Sequence, residues 1–162
     1  MTSKFALLIS IILFASLWWG CSDEAPTGDN APVLTYEGFA KDQMFQGDGT
    51  DSIVVLLSFM DVDADIRGGN TGDITVIDNR DGSEYITLSF PPLPTTSRQE
   101  GSLVLIIPNT CCIYPPDANT PACDMNPRFP TNEFTLDISI VDSRGNQSNV
   151  ITTDDILLNC LL

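Results

Sequence analysis

The chain has 162 residues, no histidine, and 22 acidic against 7 basic side chains, for a formal net charge of −15. Such a charge argues against nucleic acid and anionic lipid headgroups as partners. The missing imidazole excludes histidine-based acid–base catalysis, histidine-containing triads and the common zinc sites.

Residues 1–20 open with Lys4, run through an apolar stretch at 5–19, and end on Gly20 just before Cys21. That layout predicts a secretory signal peptide over 1–20. The apolar stretch falls short of the ~20 residues a membrane-spanning helix needs. Gly20-Cys21 resembles the lipobox of bacterial lipoproteins, and Ser22-Asp23-Glu24 resembles the acidic export tag of surface lipoproteins in the Bacteroidota. The resemblance implies that Cys21 carries the lipid, becomes the first mature residue, and holds the chain on the outer membrane at the cell surface. Taking 20 residues from 162 leaves 142, and since Lys4 is the sole charge removed, the mature balance is 6 basic against 22 acidic, net −16. Trp18 and Trp19 go with the signal, so any flat sugar-binding platform would have to be Tyr or Phe. Residues 21–31, with Pro26 and Gly28, read as an acidic flexible tether.

Residues 32–162 read as one domain built of short apolar runs divided by Gly, Asp, Asn and Pro. Residues 33–36 predict an opening edge strand. Residues 52–60 (Ser-Ile-Val-Val-Leu-Leu-Ser-Phe-Met) predict a central strand, β-branched and apolar on both faces. Directly after it stands Asp61-Val-Asp63-Ala-Asp65-Ile66. Alternate aspartates put carboxylates on one side of a turn, as calcium loops do to gather oxygen ligands. Asp61, Asp63 and Asp65 are therefore candidate calcium ligands, with Asp73 as a further oxygen and Asp78 and Asp81 as alternatives. The EF-hand pattern is not met: Ile66 stands at its glycine position and Gly72 at its twelfth. The competing expectation is a solvated turn whose aspartates cap backbone N–H groups.

Strands are predicted next over 74–78, over 85–90 until Pro91-Pro92 stops it, and over 102–107. Residues 111–131 hold five prolines, three cysteines and no periodicity, and read as a long loop that a disulfide must pin. Besides Cys21, four cysteines remain: Cys111, Cys112, Cys123 and Cys160. An even number in an exported chain implies two disulfides. Bridging the neighbours Cys111 and Cys112 would be strained, so one of them is expected to pair with Cys123 and the other with Cys160. Cys112–Cys123 with Cys111–Cys160 is the preferred arrangement. A thiolate metal site is the rival, but paired CxxC spacing is lacking. Phe134, Leu136, Ile138 and Ile140 then alternate with polar residues, a half-buried strand. Asp142-Ser-Arg-Gly145-Asn146 reads as a turn; it resembles the hairpin before the last strand of many bacterial Ig-like extracellular modules, which implies a positive φ at Gly145. Residues 149–160 close the domain, with Ile156, Leu158 and Cys160 on one face.

No helical spacing and no internal repeat appears, so the fold expected is all-β: an antiparallel immunoglobulin-like β-sandwich of about seven strands, with a small β-barrel as the alternative. The order of lipobox, Asp-x-Asp-x-Asp turn, Cys-Cys pair, Asp-x-x-Gly-Asn hairpin and late cysteine resembles a group of short single-domain surface lipoproteins of the Bacteroidota. The resemblance implies location and fold, and no activity comes with it. The function expected is a non-catalytic surface module, binding or adhesive, that meets the membrane through the lipid on Cys21 and takes a protein or glycan partner. The alternatives are a docking component of an outer-membrane secretion or polysaccharide-uptake assembly, and a hydrolase using paired carboxylates.

Overall fold

The computed structural model describes residues 30–66, 73–94 and 98–161. The expected signal peptide, Cys21 and most of the tether lie outside the described residues. Ten strands follow one another: β1 (Val33–Lys41), β2 (Gln43–Phe45), β3 (Ser52–Asp61), β4 (Ile74–Asp78), β5 (Ser83–Leu88), β6 (Gln99–Pro108), β7 (Thr131–Phe134), β8 (Leu136–Ile140), β9 (Ile151–Thr152) and β10 (Ile156–Asn159). A single 3-10 turn, Pro116–Ala118, is the only helical element among the described residues. None of the described helices is long and apolar enough to cross a membrane.

The described residues are all-β, with ten strands where about seven are expected. The strands form three sheets, in the orders β1-β3-β6, β2-β10-β7 and β5-β4-β8-β9. The last two are halves of one layer. β7 and β8 are separated by Thr135 alone, and they pair with β10 and β9 in turn: Phe134 opposes Ile156, and Asp137 opposes Thr152. The register slips by one residue between the halves. Thr153 spans the slip, its N–H donating to the Leu136 carbonyl at 2.9 Å and its hydroxyl accepting from the Leu136 N–H at 3.0 Å. The result is a β-sandwich, antiparallel except where β2 runs parallel to β10.

The sandwich closes because β3 and β6 alternate. Ile53, Val55, Leu57 and Phe59 of β3, with Leu103, Leu105 and Ile107 of β6, point inward and are buried. They meet Ile74 and Val76 of β4, Phe134, Leu136, Ile138 and Ile140 of β7 and β8, and Ile156 and Leu158 of β10. Burying each such side chain contributes roughly 1.5–3 kcal/mol.

The disulfides are Cys111–Cys123 and Cys112–Cys160. One of the adjacent pair goes to each partner, as expected, but the preferred arrangement is reversed. Cys112 and Cys160 are both fully buried, Cys160 continuing the inner face of Ile156 and Leu158. Cys111 faces outward, toward the exposed Cys123 in the proline-rich loop.

Candidate metal centre

β3 enters the site as an ordinary strand whose last inward residue is a carboxylate instead of an apolar side chain. Asp61 is fully buried at the end of the alternation Ile53, Val55, Leu57, Phe59. Its Oδ2 accepts the backbone N–H of Asp65 at 2.8 Å and of Ile66 at 3.2 Å, which folds the chain back on itself. Ala64 sits in the left-handed region at φ 57°, where residues with a Cβ are disfavoured. That bend turns Asp63 and Asp65 toward Asp61. One carboxylate oxygen from each of Asp61, Asp63 and Asp65 lies within 4.8 Å of the others.

The second wall is the hairpin after β8. Asp142 organises it: Oδ1 accepts from the Arg144 N–H at 2.9 Å and the Asn146 N–H at 2.8 Å, and Oδ2 accepts from the Asn146 side-chain amide at 2.7 Å. Gly145 takes φ 88°, as the turn requires. The Ser143 N–H donates to the Asp65 carbonyl at 3.2 Å, clamping hairpin to turn. Arg144 then reaches across, placing Nη1 2.6 Å from Asp63 Oδ2 and Nε 3.0 Å from Asp65 Oδ2.

Every Oδ2 of the three aspartates is thus occupied, and every Oδ1 is not. Among the described residues, the buried side-chain polar atoms without a hydrogen-bond partner are Oδ1 of Asp61, Oδ1 of Asp63, Oδ1 of Asp65 and Oε1 of Gln99. All four are acceptors. Buried oxygens without a donor are costly, on the order of 1–3 kcal/mol each and more when charged. Burial pushes the Asp61 carboxyl above its ordinary range, and nearby Asp63 pushes it further, against the pull of the two backbone N–H groups. Burial also raises Asp65, helped by the negative charges of Asp142, Asp63 and Asp61 and opposed by Arg144. A cation among these oxygens would reverse both shifts and satisfy the free lone pairs, so Asp61, Asp63 and Asp65 can hold a metal ion.

No protein-family model, curated protein or solved structure matches this chain.

The other candidate oxygens are placed elsewhere. Asp73 is outside the cluster: its Oδ2 accepts the Phe90 N–H at 3.3 Å, and its carbonyl accepts the Val141 N–H at 2.8 Å. Asp78 is buried against Arg80, whose Nη2 lies 2.6 Å from Asp78 Oδ2. Asp81 caps the Ser83 N–H at 2.9 Å. The spacing of the three aspartates is enough to find the cluster, but Arg144 reaches it from the hairpin after β8 and carries no local signal.

Proposed function

We propose that the chain is a non-catalytic surface module: a calcium-stabilised, immunoglobulin-like β-sandwich held on the outer membrane by lipid on Cys21, which presents its surface to a protein or glycan partner. The observation that carries the cation reading is the convergence of three carboxylates, Asp61 and Asp65 buried and Asp63 half-buried, whose buried Oδ1 atoms have no donor. An all-oxygen donor set favours a hard cation, and calcium tolerates the irregular geometry of a turn better than magnesium does. The surface reading is supported by Gly20-Cys21 behind an apolar run, and by two disulfides, which belong to exported proteins.

Thermal melting of the purified full chain with calcium, magnesium or EDTA tests it. At a hundredfold excess over Kd, calcium should stabilise by about 2.7 kcal/mol, a rise on the order of 10 °C. The rise should be absent in Asp63→Asn. An equal rise with either ion would mean general screening of an acidic surface, and the turn would then be a capped loop.

A further inference from the structure

We infer that Gln99 supplies a fourth, neutral oxygen ligand to the cation, so that the site bridges two strands instead of lying in one turn. The inference deepens the cation reading and rests on it. β3 and β6 pair antiparallel, with Asp61 directly opposite Gln99 in the register. Side chains opposite each other in an antiparallel pair share one face, with Cβ atoms about 4.5–5.5 Å apart. Asp61 is the last inward residue of β3 and is fully buried; Gln99 is the first residue of β6 and only 6% exposed. Both therefore sit on the inner face at the same end of the sandwich.

The hydrogen bonding of Gln99 divides as a ligand's should. Its Nε2 donates to the Pro94 carbonyl at 3.4 Å, the orientation that leaves the amide oxygen at the other end. Its Oε1 is buried and meets no donor among the described residues. An amide that only filled space at a strand start would be expected to use both ends or reach solvent. Among the described residues, the one buried side-chain amide oxygen without a donor stands opposite the one aspartate with no exposure at all. Side-chain amide oxygens are ordinary ligands for calcium. Three carboxylates and one amide oxygen leave the remaining positions to water or backbone carbonyls, as calcium's six to eight positions allow.

Terbium(III) and calcium titrations of the full chain distinguish the possibilities. Terbium replaces calcium at oxygen sites, and its luminescence lifetime in light and heavy water counts the waters on the bound ion. Gln99→Leu should add about one bound water and weaken calcium binding by at least the roughly tenfold that losing even an outer-shell partner costs. Gln99→Glu, nearly isosteric, should tighten calcium binding, because a carboxylate replaces a neutral ligand. If Gln99→Leu does not fold, Gln99→Glu alone decides: unchanged or weaker binding overturns the assignment. Wild-type water number and affinity in both variants would remove Gln99 while leaving the aspartate site intact. No binding of either ion by the wild type would remove the site altogether.

Discussion

Arg144 faces the cluster from outside. Its side chain is 60% exposed, yet it reaches the Oδ2 atoms of both Asp63 and Asp65. An exposed guanidinium is screened by water and salt, and such pairs contribute about 0–1 kcal/mol. It therefore offsets little of the repulsion among three carboxylates, and it leaves the Oδ1 side untouched. It also adds a positive charge beside any bound cation. Arg144→Gln should accordingly lower the melting temperature in EDTA slightly and tighten calcium binding severalfold, widening the gap between the metal-free and calcium-loaded protein. Calorimetric titration checks this. Loss of affinity in the variant would mean that Arg144 organises the carboxylates instead of competing with the ion.

The strands separate what local pattern can reveal from what it cannot. β3 and β4 stand out because burial alternates along them with the period of the backbone, and β8 because Leu136, Ile138 and Ile140 alternate with polar residues, although Ser139 is buried too. β2 has three residues and a single inward side chain, Met44, too little for any period to show. β1 runs past its expected end at Tyr36 because Gly38, at φ 117°, carries it through a bulge. The pattern from Phe134 to Ile140 continues across Thr135, so the one-residue slip that splits the layer is invisible in it. The choice between neighbouring cysteines fails for a related reason. Alternation extended from Leu103, Leu105, Ile107 and Asn109 would put Cys111 inside, but β6 ends at Pro108 and Cys112 is the buried one. Gln99 is hidden in the same way, since only the register of β3 on β6 brings it opposite Asp61. The two bridges differ in span, 12 residues for Cys111–Cys123 and 48 for Cys112–Cys160. By loop-closure entropy alone they contribute about 3 and about 4 kcal/mol. Replacing Cys112 and Cys160 by Ala should cost more than replacing Cys111 and Cys123, because a buried core contact goes as well. Denaturant unfolding of the two double variants measures the order, and a costlier loop bridge would contradict it.

At the scale of the molecule, a formal net charge of −15 makes the surface self-repelling, and the proposed cation at the end of β3 would relieve that beside three clustered carboxylates. The same charge disfavours contact with anionic bilayers, and the proposed anchor is the lipid on Cys21. Cys21→Ser should move the protein out of the outer-membrane fraction or stall its processing. A variant that still fractionates like the wild type would remove the anchor from the proposal. The parallel pairing of β2 with β10 then acquires a mechanical meaning. The Leu157 N–H donates to the Asp42 carbonyl at 3.1 Å and the Gln46 N–H to the Asn159 carbonyl at 2.8 Å, at the two ends of this short pair. A pull on the chain ahead of β2 would meet the pairing of β1 with β3 first; passed on and resisted beyond β10, it would draw β2 and β10 in opposite directions along their length. Their hydrogen bonds are then loaded together in shear instead of being unzipped one at a time. Behind them, Cys112–Cys160 ties the residue just after β10 to the core, a covalent stop at the end of the sheared pair.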